Sequence, residues 1–215
     1  MISHKHKCIF VHIPKCGGSS IEDIIWPTPT DKSVENLWMG FETKFSNKYQ
    51  TGGLQHLKAK QIRQEVGAEV FDKYYKFTMV RNPWDKAVSQ YEYMKKRADL
   101  REFAGISDNE EFISYLDKTR KVLHVQWEKQ TEFLYDEQGQ LIVDFIGRFE
   151  DFEKNVYQIL DDIKIGKKLF GFRLNKIPHE KKSVRSHYRD YYDDESKEMV
   201  AEIYQDDIEK FSYQF

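Results

Sequence analysis

Cys8-Ile-Phe-Val-His-Ile13 runs straight into Pro14-Lys-Cys-Gly-Gly-Ser-Ser20, and Ile21 to Ile25 then follow a helical pattern. A short apolar run, a tight turn and a helix, in that order, form the repeating unit of a parallel α/β sheet, whose ligands sit at the carboxyl ends of the strands. The same order returns at Phe77-Thr-Met-Val80, Arg81-Asn-Pro-Trp84 and Asp85 to Met94. A third apolar run, Leu141 to Ile146, follows the Asp136-Glu-Gln-Gly139 turn and leads through residues 147–155 into a helical pattern from Val156 to Ile163. These units predict an α/β fold built on a parallel sheet.

Working outward, Lys58 to Val66 reads as a helix closed by Gly67, with His56 just before it. Phe112, Ile113, Tyr115 and Leu116 repeat at helical spacing after Ser107-Asp108, which suits an N-cap. From Asp193 onward, Val200, Ile203, Tyr204, Ile208 and Phe211 fall on one stripe of a terminal helix, and Asp193, Asp194 and Glu195 suit the positive end of its dipole. No solenoid-length repeat or low-complexity tract interrupts the pattern.

The 215 residues suit one domain, 1–215, with no linker-like stretch. With 40% hydrophobic residues and only five prolines, disordered and fibrous classes are excluded. A formal charge of −2 gives no broad footprint for nucleic acid, so any anion must be gripped locally. Cys8 and Cys16 do not make a disulfide framework, and a reducing compartment fits best. Cys8 to Ile13 is too short for a signal segment, and no window approaches a membrane span. A soluble, cytoplasmic protein is expected; oligomeric state is not readable from the chain.

The turn at 14–20 has the chemistry of an anion cradle. At a strand-to-helix junction several backbone N–H groups point the same way. Gly17 and Gly18 remove side chains that would block close approach, Ser19 and Ser20 add hydroxyl donors, and Lys15 adds a full charge. An ordinary glycine turn with a solvated lysine is the other reading of these residues alone. The pattern is not a Walker A loop, which places its lysine after the glycines. A kinase remains open through Asp144, a carboxylate in the third apolar run that is a candidate for Mg²⁺.

The loop HIPKCGGSS resembles the 5′-phosphosulfate loop of the sulfotransferases that use 3′-phosphoadenosine 5′-phosphosulfate (PAPS), within the group that includes the carbohydrate sulfotransferases. FTMVRNPWDKAVSQYEYM is similar to the same family's 3′-phosphate motif. The resemblance continues through residues 144–155 and 177–193 and the final DIEKFSYQF; it is weak over 26–53 and 95–120, where acceptor recognition is expected. It implies a three-layer α/β fold with a central parallel sheet, laid out like the P-loop nucleotide kinases. It also implies that Lys15, Cys16, Gly17, Gly18, Ser19 and Ser20 hold the 5′ end of PAPS, and that Arg81 and Ser89 reach the 3′-phosphate. Arg suits that role because its guanidinium presents a fork of donors. Where many relatives have Asn-Lys-Ser, this chain has Lys181-Lys182-Ser183, so Lys182 and Ser183 are the candidate contacts of that loop.

His56, in LQHLKAKQIR, matches the position of a catalytic histidine in part of the family, and an imidazole with pKa near ~6.5 suits general base work. A surface histidine at a helix entrance is the alternative. His12, inside the first strand, reads as structural. His124, His179 and His187 flank polar stretches, and His4 and His6 sit in what reads as a solvated tail. No metal is expected, because a sulfate ester presents less negative charge to a nucleophile than a phosphate dianion. Lys181, Lys182, Arg185 and Arg189, with Tyr188, Tyr191 and Tyr192, form either a lid over the nucleotide, a contact for an acidic acceptor or a solvated basic face. Arg148 and Glu150 are candidates to pair with each other or to hold the site wall. The expected reaction is sulfuryl transfer from PAPS to a hydroxyl or amine of a saccharide or small metabolite. A P-loop-type kinase and a non-catalytic nucleotide-binding protein are the rivals.

Overall fold

The computed structural model describes residues 1–38, 53–166, 168, 169, 172, 173 and 185–215. Lys181, Lys182, Ser183 and His179 lie outside the described residues. The main sheet has the order β1-β2-β3-β4, formed by β1 (Ile2–Ser3), β2 (Cys8–Val11), β3 (Tyr75–Val80) and β4 (Phe145–Arg148). β2 runs parallel to β3, with Phe10 opposite Phe77, and β3 runs parallel to β4, with Met79 opposite Gly147.

β1 departs from the expected all-parallel sheet. It pairs antiparallel with β2, Ile2 opposite Ile9, because the short 4–7 connection permits a hairpin, whereas a parallel pair needs a crossover. His4 and His6 therefore belong to a turn between paired strands, not to a free tail. All of β2 and residues 76–80 of β3 are buried, as expected for parallel strands covered on both faces, and this is why both read as unbroken apolar runs.

The helices are α1 (Gly18–Ile25), α2 (Ala59–Val66), α3 (Ala68–Lys73), α4 (Pro83–Met94), α5 (Ala98–Ala104), α6 (Phe112–Thr119), α7 (Phe152–Asp162), α8 (Asp194–Ile203) and α9 (Gln205–Phe211). α1 follows β2, α4 follows β3 and α7 follows β4, so each strand feeds a helix at its carboxyl end. Gly67 ends α2 with φ 80°, as anticipated.

Three local expectations need correction. α6 begins at Phe112, not at Ser107-Asp108; the Ser107 N–H and hydroxyl instead donate to Glu110 Oε2, both at 2.9 Å. The third strand starts at Phe145, with Leu141 bridged only to Tyr135. The terminal stripe is split into α8 and α9 at Tyr204, whose φ of −112° breaks the helix. The start of α8 does match the reading: Asp193 accepts the Ser196 N–H at 2.8 Å.

Candidate functional site

The first loop joins β2 to α1. Gly17 flanks α1 at φ 82°, and Lys15 also sits at a positive φ, 68°, a conformation uncommon for a side chain with a Cβ and found at functional turns. Alternation of such residues turns successive N–H groups to one side. Gly17, at the N-cap position, has no side chain with which to cap α1. Ser20 is buried and Ser19 exposed. The glycines do more than clear a path to the backbone. A Cβ on Gly18 would lie 2.1 Å from His12 Nε2, and one on Gly17 would lie 2.7 Å from Phe152 Cε2. The space both glycines vacate is thus filled by the protein's own rings.

Lys15 Nζ stands 4.0 Å from the centre of the Tyr93 ring. Burial, reinforced by the nearby charges of Arg81, Lys96 and Arg185, lowers its pKa to about 8. Cys16 is buried, and burial raises its thiol to about 12, so it is not a nucleophile at neutral pH. Its S–H donates to Gln130 Oε1 at 3.3 Å.

The second loop joins β3 to α4. Arg81 is buried, and its Nη1 donates to the Lys15 carbonyl oxygen at 2.9 Å, so the two loops touch. Its Nε donates to Asp85 Oδ2 at 2.8 Å, and its guanidinium lies 4.0 Å from the Phe149 ring centre. Arg185 pairs with the other oxygen of Asp85. Burial would raise the Asp85 carboxyl, but the two guanidiniums outweigh it and hold the group below its ordinary value. Ser89 lies two turns along α4, partly exposed. The N-terminus of α4 has the side-chain cap that α1 lacks: Asn82 accepts the Trp84 N–H at 3.0 Å, and Pro83 has no N–H to satisfy.

His56 is buried in a helical turn ahead of α2, not on the surface. Its Nδ1 is 3.0 Å from the His12 carbonyl oxygen. A carbonyl only accepts, so Nδ1 carries the proton and Nε2 is left with its lone pair, the form a general base requires. Burial, then the neighbouring His12, holds the His56 pKa well below the ordinary histidine value. His124 is also buried, and burial lowers its pKa to about 4.

Residues 1–214 match the model of the sulfotransferase family. The chain belongs to this family. An uncharacterised protein of Archaeoglobus fulgidus is 31% identical to this sulfotransferase-family chain over 121 residues, which is 53% of the chain and 87% of that protein. No solved structure matches it.

The structure sets His56 and Gly18 against His12, and joins Arg81 to the first loop through the Lys15 carbonyl. Arg148 and Glu150 do not pair with each other as entertained above. Arg148 donates to the Phe211 carbonyl, while Glu150 accepts the Asn82 N–H at 2.7 Å and the Tyr213 hydroxyl at 3.1 Å. Tyr191 and Tyr192 dock on the flank of α4, through Glu92 at 3.1 Å and the Trp84 carbonyl at 2.8 Å. Asp144 lies before the start of β4, at the sheet end away from the loops, with Lys76 Nζ 2.9 Å from it. It is out of place for a carboxylate serving those loops. Among the described residues no cluster of three or more His, Cys, Asp or Glu is arranged to hold a metal ion, and no helix is long and apolar enough to cross a membrane.

Sequence reasoning missed Gln130. Fully buried, it accepts the Arg81 N–H at 2.8 Å and returns an N–H to the Arg81 carbonyl at 2.8 Å, while holding Cys16. Its own N–H and that of Thr131 donate to Asp207 at 2.8 and 2.9 Å. No local pattern marks it, because its partners are 49 and 114 residues away in sequence.

Proposed function

We propose that this chain transfers a sulfuryl group from PAPS to a hydroxyl or amine acceptor, a saccharide or small metabolite. The observation that carries the reading is the 2.9 Å hydrogen bond from Arg81 to the Lys15 carbonyl. It sets the helix terminus of the first loop beside the guanidinium of the second, as a nucleotide with phosphates at both ends requires. Lys15 and the amides of residues 16–20 would hold the 5′ end, and Arg81 with Ser89 the 3′-phosphate.

PAPS supplies the sulfuryl group and leaves as 3′,5′-ADP. The acceptor forms a bond to sulfur, the bond from sulfur to the 5′-phosphate oxygen breaks, and the acceptor proton passes to His56 Nε2. Lys15 and the loop amides stabilise the charge that collects on the departing phosphate, which is how preorganised donors lower a barrier. Burial keeps His56 neutral at physiological pH, so its lone pair is available throughout the working range.

Ligand-linked thermal stabilisation tests the reading, because a ligand that binds only the folded chain raises its melting temperature. The expected order is 3′,5′-ADP above 5′-ADP above ATP, without added Mg²⁺. Stabilisation by ATP and Mg²⁺ in preference to 3′,5′-ADP would overturn it in favour of a kinase.

A further inference from the structure

We infer that Glu22 and His12 form a buried carboxylate–imidazole pair that positions His56 against the phosphate loop. The inference rests on the reading of His56 as the base.

Glu22 lies on α1, one turn past Gly18, and is 5% exposed; His12, at the end of β2, is 7% exposed. Glu22 Oε1 and His12 Nδ1 are 2.8 Å apart, and neither atom has a hydrogen-bonding partner among the described residues. Burying a carboxylate is costly unless it is paired, so this contact ties the His12 ring to α1. The His12 ring is then fixed on every side. It stacks on Phe10 with centroids 5.4 Å apart, rests against the start of α1 where Gly18 lacks a Cβ, and lies 4.5 Å from the His56 ring. Its main-chain carbonyl takes the proton of His56 Nδ1 at 3.0 Å.

Glu22, His12, Gly18 and His56 thus form one rigid unit. A carboxylate on α1 sets the ring of His12, the ring sets the strand end, and the strand end selects the tautomer of the base. Partners of this kind commonly orient a working imidazole through its second nitrogen. The charged and titratable groups that bear on His56 are His12 just after β2, the Met1 ammonium just before β1 and His124 from the 120–130 segment. Glu22 is the carboxylate that bears on both His12 and the Met1 ammonium.

The test uses Glu22→Gln in the full chain labelled with ¹⁵N-histidine, with the His56 signals identified by their loss in His56→Asn. Acceptor-independent hydrolysis of PAPS to 3′,5′-ADP and sulfate reports turnover, and calorimetry with 3′,5′-ADP reports binding. The expected result is a His56 that no longer holds a single Nδ1–H tautomer. PAPS hydrolysis falls about tenfold or more, with 3′,5′-ADP affinity within about threefold. Glu22→Asp, which keeps the charge, should restore part of both and serves if the Gln variant does not fold. A His56 tautomer unchanged in both variants would overturn the inference, as would a loss of nucleotide affinity equal to the loss of turnover. Full PAPS turnover in His56→Ala would instead sink the base reading, while the NMR readout would still decide whether Glu22 positions the ring.

Discussion

The turns after β2 and β3 share a topology and handle charge in opposite ways. The first leaves the amides of α1 uncapped and carries Lys15, whose charge no carboxylate on the loop offsets. The second seals the amides of α4 with Asn82 and Pro83 and neutralises Arg81 through Asp85. Under the proposed function, an anion at the first turn would meet backbone donors and Lys15, and at the second only side chains held in advance. The same strand-turn-helix unit would then serve developing charge in one place and a static grip in the other.

The sharpest way to break this contrast is to remove His56, the base of the proposed reaction. His56→Ala should lower sulfuryl transfer by roughly 10²- to 10⁴-fold while calorimetric affinity for 3′,5′-ADP stays within a few-fold. Arg81→Lys keeps the charge but not the fork, and should weaken 3′,5′-ADP binding about tenfold while sparing 5′-AMP, which has no 3′-phosphate. Equal losses for both nucleotides would mean that the second loop does not read the 3′ end.

The third test uses pH. The pKa of Lys15 is lowered to about 8, so the protonated form that attracts an anion is depleted as pH rises through that value. Affinity for 3′,5′-ADP should decline above pH ~8 and show proton uptake on binding there, and Lys15→Arg should remove the effect because a guanidinium stays charged. The smallest effect is expected at the cap. Asn82→Ala should cost about 1 kcal/mol, a fall of roughly 2–4 °C in melting temperature for a chain of this length, with little change in nucleotide affinity. A large affinity loss in that variant would show that the second turn's backbone takes part after all.

Much of this contrast was legible in the chain itself. The apolar runs before Pro14 and Arg81 reported parallel strands, because these signals are local. The antiparallel entry of β1 was missed because Ile2-Ser3 is too short to show any alternation. The role of the glycines was legible only in part: φ at Gly17 follows from the turn, but the packing of His12 against Gly18 depends on a ring position no spacing reveals. His56 lay within reach of the resemblance alone, since nothing in LQHLKAKQIR marks it as buried. Gln130 and the pairing of Glu22 with His12 were out of reach, being tertiary contacts between residues ordinary in their own neighbourhoods.

Gln130 has a further consequence. With one amide engaging both Cys16 and Arg81, it works as a gauge block that fixes the spacing between the two turns. Its main chain hangs on Asp207 in α9, so a disturbance near the carboxyl end of the chain would reset that spacing without touching either turn.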